Sequence, residues 1–212
     1  MLHIVKDAEP DSLRQDRKDG NSFNDRKCKK ELNDALITNQ GHLCVYCMKQ
    51  IVLPNVRVEH YKPRKYKELV LVYDNLFLAC EGNEGNGKSR HTCDVKKGES
   101  ELQIDPLNPE HIKKMGYGTG GNIYSSDDQH DRDLNIILNL NEEELIRIRK
   151  SYYDIITDRI EQAKVEGEYS FEFLDKELQK YVKKRRGKYL PFCGVAVGYL
   201  KEEMETLRGQ SY

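Results

Sequence analysis

No stretch of this 212-residue sequence approaches the ~20 consecutive apolar residues of a membrane-spanning helix. The opening residues Met1-Leu2-His3-Ile4-Val5-Lys6-Asp7 also lack the apolar run of a signal peptide, so the expected location is cytoplasmic, with no membrane partner. Net charge is nearly absent too: the formal value of −1 excludes blanket attraction to polyanions and leaves any nucleic-acid contact to local basic patches. Apolar residues make up 37% and charged residues 33%, a balance that suits solvated helices or a small core helped by a metal. In a reducing compartment, the six cysteines point to metal ligation before disulfides.

Periodicity divides the chain into a centre with helical material on both sides. Residues 1–24 are polar and punctuated by Pro10 and Gly20, which predicts an irregular arm. Leu32, Ala35 and Leu36 predict a short amphipathic helix from Asp25 to about Thr38, stopped by Gly41. Ile51-Val52-Leu53 and Val56-Arg57-Val58 read as two short strands turning at Pro54-Asn55. Leu69 to Tyr73 and Leu76 to Ala79 are further apolar runs, and Cys93 to Gly98 opens a helix. Beyond Asp105-Pro106 come a flexible glycine cluster (116–121) and a polar loop (125–133). Asn141 then caps a helix reaching about Ala163, and a second helical stretch covers Tyr169 to Arg186.

Cys44 and Cys47 have the x-x spacing of a zinc knuckle, whose turn aims both sulfurs at one point. Cys80 and Cys93, flanking a strand–loop–helix junction, are the candidates to complete a tetrahedral site. Cys28 and Cys193 have no such partners and read as core residues; His42 and His91 read as ordinary exposed histidines.

Between the cysteine pairs lies Val58-Glu59-His60-Tyr61-Lys62-Pro63. On a strand, adjacent side chains point to opposite faces, so one of Glu59 and His60 can ligate a metal while the other activates water. The order Cys-x-x-Cys, Glu-His-x-x-Pro, Asn-Leu-x-x-x-Cys, Cys-Asp-x-x-Lys-Gly resembles HNH (ββα-metal) endonucleases with a cysteine-bound zinc. The resemblance implies His60 as general base, Glu59 and Asp94 as ligands of a catalytic Mg²⁺ or Mn²⁺, and Asn75 as the residue that secures the loop and orients the histidine. It also implies Lys97 as a nearby positive charge, and a structural Zn²⁺ on Cys44, Cys47, Cys80 and Cys93. Two departures stand out: Asp94 replaces the usual Asn or His, and the loop between Cys80 and Cys93 is long. The run from Leu36 to Cys47, Ile104-Asp105-Pro106-Leu107-Asn108-Pro109, and Leu138-Asn139-Leu140-Asn141 resemble the PtuB-like subfamily. That resemblance implies an anti-phage system (Septu, and some retrons) encoded beside a PtuA-like ABC-type ATPase.

Gly82-Asn83-Glu84-Gly85-Asn86-Gly87-Lys88-Ser89 also satisfies the P-loop pattern. A phosphate-binding P-loop runs straight into a helix, whereas Arg90-His91-Thr92-Cys93 offers no apolar helix to pack on a sheet. Too few strands follow for a doubly wound fold, so a flexible loop is the preferred reading.

Lys62, Arg64, Lys65 and Lys67, interleaved with Tyr61 and Tyr66, are candidate phosphate contacts and stacking rings. Lys183 to Lys188 forms a second basic run at an expected helix end. The fold expectation is α+β: an N-terminal arm and helix (1–40), a zinc-stabilised ββα-metal core (41–105) and a mainly helical region (106–212). The expected function is metal-dependent cleavage of nucleic acid, DNA before RNA. A P-loop nucleotide-binding protein and a non-catalytic zinc interaction module are the competing classes.

Overall fold

The computed structural model describes residues 1–209 and places a helix inside the arm expected to be irregular. This helix, α1 (Asp11–Lys18), buries Leu13 and Asp16. The Asp16 carboxylate accepts from the backbone N–H of Lys27 and of Cys28, each at 2.9 Å, and from Asn21 Nδ2 at 2.6 Å. A single buried acid thus folds the segment after α1 back against it, a tertiary device with no periodic signature. The chain then enters α2 (Lys29–Asn39), which buries Leu32, Leu36 and Ile37. Gly41 follows with φ +57°, where a Cβ would come within 2.3 Å of the Tyr189 ring.

The central sheet is a two-stranded antiparallel hairpin of β1 (Arg57–His60) and β2 (Leu76–Ala79), with Glu59 opposite Phe77 and His60 opposite Leu76. Every residue of β2 is buried. Gln40, itself buried, extends the sheet: its amide donates to Leu78 O at 2.8 Å and accepts from Leu78 N at 2.7 Å. The expected pairing of Ile51–Leu53 with Val56–Val58 does not form. The chain after Cys47 is committed to the knuckle turn, and this part contributes only the bridge between Leu43 and Gln50. Nor is Leu69 to Tyr73 a strand. It lies between two 3₁₀ turns, Lys67–Leu69 and Tyr73–Asn75, which send Leu71 and Tyr73 into the core.

Past the helix α3 (Cys93–Lys97) comes α4 (Pro109–Lys113), whose N-cap Asn108 accepts from Glu110 N. The glycine cluster is not loose: it forms a hairpin of β3 (Met115–Tyr117) and β4 (Ile123–Ser125). The polar stretch after it holds α5 (Asp128–Arg132), capped by Asp127, and a π-helical turn, Asp133–Ile137. The long helix α6 (Glu143–Glu166) is capped by Glu142 rather than Asn141, and α7 (Phe171–Val182) ends before the basic run. A third C-terminal helix, α8 (Cys193–Gly209), packs on both, within the region expected to be mainly helical.

One core cluster takes residues from Met1 to Val195, while Ile156, Ile160, Leu174, Ala196, Leu200 and Met204 form a second between α6, α7 and α8. The architecture is α+β, two small hairpins embedded in helix. Among the described residues no helix is long and apolar enough to cross a membrane.

Candidate active site and metal centre

Four sulfurs converge at one end of the central hairpin. Cys47 and Cys80 Sγ are 3.7 Å apart, Cys80 and Cys93 3.8 Å, and Cys44 and Cys93 3.9 Å. Tetrahedral zinc with Zn–S bonds of about 2.3 Å requires sulfur spacings of roughly 3.8 Å, so the donor set fits the ion in kind and in size. Both halves are built by tight turns. Met48 takes φ +62°, and the turn it makes brings Lys49 N onto Cys47 Sγ at 3.4 Å. On the other side Gly82 takes φ +56°, and its carbonyl accepts from Thr92 N at 2.9 Å. That bond closes the long loop at its base and returns Cys93 to Cys80. A Cβ on Gly82 would lie 2.4 Å from Thr92 O, so the closure needs glycine.

Cys28 and Cys193 are buried core residues and do not belong to this cluster. His42 and His91 are half-buried rather than exposed, and neither joins it.

Glu59 and His60 leave β1 in opposite directions, as the pleat requires. Glu59 is 2% exposed. Its Oε1 accepts from the Tyr46 hydroxyl at 2.6 Å and lies 2.8 Å from Lys97 Nζ. Burial first, and the neighbouring Asp94 carboxyl second, raise the Glu59 carboxyl to about 8 against the opposing charge of Lys97. Asp94 is brought in by the first turn of α3 and also accepts from Arg57 Nε at 2.8 Å. Two carboxyls lining one cleft form an oxygen donor pair suited to a hard divalent cation.

Lys97, expected as a nearby positive charge, supplies that charge from a buried position. It is 2% exposed, and its ammonium is used by Glu59 and by His60 O at 2.8 Å. It therefore sits behind the carboxylate and braces it.

His60 Nε2 donates to Val70 O at 3.1 Å, which fixes the proton on that nitrogen and leaves Nδ1 as the acceptor. Arg64 Nε donates to Nδ1 at 3.2 Å, and the Phe23 ring meets the imidazole edge-on with centroids 4.5 Å apart. Burial, followed by the charge of Arg64, lowers the His60 pKa to about 4, so the ring is neutral at physiological pH. Asn75 does not reach the cleft. Its side chain accepts from Lys62 N at 2.6 Å and donates to Lys62 O at 3.0 Å and Leu69 O at 3.1 Å, clamping the loop that begins at His60.

Glu59, His60 and Asp94 line a cleft of about 510 Å³, which brings the three sequence-predicted chemical groups together. Its other walls carry residues that the sequence did not mark as functional: Phe23, Arg26, Asn33 and Arg57. The tyrosines and lysines after His60 are largely committed within the fold. Tyr66 Oη donates to Glu101 at 2.6 Å, Lys65 pairs with the same carboxylate at 2.8 Å, and Tyr61 donates to Leu102 O. In the second basic run, Lys184 Nζ lies 2.7 Å from Thr38 O and so caps α2 rather than ending α7.

The Gly82–Ser89 segment does not take the form of a P-loop. Lys88–Arg90 is one 3₁₀ turn, followed by extended His91 and Thr92 and the short α3, and β2 belongs to an antiparallel pair. The loop is not free either: Arg57 pairs with Glu84, Asn83 Nδ2 donates to Arg90 O, and Asn139 Nδ2 donates to Ser89 O and His91 O.

Against known proteins, no family model matches the chain. Similarity to the HNH endonuclease class does appear over part of the sequence. The relative is the "Retron Vc95 putative HNH endonuclease" of Vibrio cholerae serotype O1 biovar El Tor, 35% identical over 99 residues. The aligned part is 45% of this chain and 47% of that protein, so the chain spans about half the length of the curated relative it matches.

Proposed function

We propose that this protein is an HNH-type endonuclease that hydrolyses phosphodiester bonds of nucleic acid, DNA before RNA, with help from a divalent cation. The observation that carries the reading is one cleft holding a neutral, tautomer-fixed His60 beside the Glu59–Asp94 pair, built on a four-cysteine cluster fit for Zn²⁺. Glu59 and Asp94 would hold a Mg²⁺ or Mn²⁺, which would supply Lewis-acid charge stabilisation for phosphodiester hydrolysis. His60 Nδ1 takes the proton of the attacking water, while Val70 O holds the opposite nitrogen and the ring in place. Lys97 and Tyr46 keep Glu59 aimed at the cleft from behind, and Asn75 secures the backbone that follows His60. The retron in the relative's name favours an effector role in prokaryotic anti-phage defence. A PtuA-like ABC-type ATPase is the partner we propose, on the strength of the PtuB-like sequence features alone.

The test is cleavage of end-labelled duplex DNA, single-stranded DNA and tRNA by purified protein, with and without the partner ATPase, in Mg²⁺, Mn²⁺ or EDTA. Internal cuts that require the cation support the reading. Intact substrates under every condition reject it and favour the zinc interaction module.

A further inference from the structure

Two arginines at the cleft, Arg26 and Arg64, form no ion pair among the described residues, although the charge of Asp16 acts on Arg26 from further off. Arg57, on the same cleft, holds two carboxylates, Glu84 and Asp94. Among the described residues neither Arg26 nor Arg64 has a carboxylate within ion-pair distance. Instead both lie against one ring, Arg26 Cζ at 3.7 Å and Arg64 Cζ at 4.6 Å from the Phe23 centroid. Arg26 Nη1 donates to Phe23 O, which fixes its guanidinium, while its buried Nε has no protein partner.

Two like charges held around one phenyl ring repel each other, and cation–π contact offsets only part of that cost. The arrangement makes sense when an anion lies between or across them. Arg64 carries a second clue. Its Nε occupies the lone pair of His60 Nδ1, the atom that must accept a proton from water in the proposed hydrolysis. Turnover therefore requires Arg64 to turn that N–H to another acceptor, and a phosphate oxygen is the strongest one a nucleic acid offers.

We propose that Arg26 and Arg64, stacked on Phe23, form a clamp for a backbone phosphate of the substrate strand, and that binding there draws Arg64 off His60 Nδ1. The proposal rests on the nuclease reading for its consequence at His60, while the phosphate site is measurable without catalysis.

The experiment measures binding of fluorescein-labelled 20-nucleotide single-stranded and duplex DNA to a zinc-loaded His60→Ala parent with no Mg²⁺ or Mn²⁺ added, by anisotropy across a salt series. Adding Arg26→Met or Arg64→Met is expected to weaken binding about tenfold and to flatten the slope of log affinity on log salt by about 1, the signature of one lost phosphate contact. Lys176→Met, on exposed α7, controls for general charge and leaves the slope unchanged. With His60 intact, Arg64→Met is expected to raise KM while kcat stays within about threefold, because the base is already uncovered. Unchanged slopes in both arginine variants, no binding by the parent, or a collapse of kcat at constant KM would each overturn the clamp. Arginine-dependent binding by a protein that cuts nothing would leave the clamp standing and sink the nuclease reading alone.

Discussion

Lys97 Nζ and Glu59 Oε1 stand 2.8 Å apart with their side chains 1% and 3% exposed. A lysine in that position offers nothing to solvent or substrate; it holds a carboxylate at the base of the cleft. Breaking a buried pair leaves an uncompensated group, at a typical cost of about 3 kcal/mol. Lys97→Met is therefore expected to lower folding stability by roughly that amount, measured by urea denaturation. Combining it with Glu59→Gln should cost less than the sum of the two single changes. Strict additivity would mean that the two side chains are not coupled.

The cysteine cluster predicts about one zinc per chain, by elemental analysis of purified protein. Cys44→Ser and Cys80→Ser should lose zinc and fold poorly, since metal binding and folding are linked. Cys193→Ser removes a buried thiol that is not a member of the cluster and should keep its zinc. Full thermal stability after the metal is stripped would contradict this role.

The glycine loop yields a sharper contrast. Gly82→Ala meets both a positive φ and a backbone oxygen at 2.4 Å, whereas a Cβ on Gly87 has only Ser89 Oγ at 4.0 Å. Gly82→Ala should cost several degrees of Tm and loosen the zinc, while Gly87→Ala and Lys88→Ala should be nearly silent. A P-loop would show the reverse, with ATP affinity lost on changing Gly87 or Lys88.

Much of this site was legible because its chemistry is local in sequence. Glu59 and His60 are adjacent on one strand, Cys44 and Cys47 share one turn, and Asp94 and Lys97 ride one turn of α3. What escaped depends on contacts distant along the chain. Asp16 folds the arm, Gln40 completes a sheet edge, and Phe23 with Arg26 reaches the cleft from a stretch that the sequence did not mark as functional. The hairpin at 115–125 was hidden by its glycines. Helix α8 lies in the region expected to be mainly helical, but its bounds have no sequence signal beyond the apolar Val195, Ala196 and Leu200, all buried.

Asp16 gives a pH-dependent test. Burial works to raise its pKa, but the donors from Lys27, Asn21 and Cys28 outweigh it and hold the carboxyl well below its usual range. A depressed folded value means that Asp16 stabilises the fold above its unfolded pKa of about 4 and loses that contribution as pH falls further. Asp16→Asn is expected to cost about 2 kcal/mol at pH 7, from the lost charge-assisted hydrogen bonds, and progressively less below pH 4. A cost that does not change between pH 7 and pH 3 would contradict the assignment.

Asp94→Ala tests the cation pair separately from the base. Removing one oxygen donor should depress cleavage and raise the Mg²⁺ or Mn²⁺ concentration needed for half-maximal rate, with zinc retained. An unaltered metal requirement would remove Asp94 from that role.

The cleavage rate of His60→Ala, measured beside its zinc content under saturating cation, bears most directly on the central claim. The expected result is a loss of about a hundredfold or more, the usual contribution of a positioned general base, in a protein that keeps its zinc and its fold. Cleavage at the parental rate, or loss of zinc on this substitution, would contradict the assignment of His60 as the base.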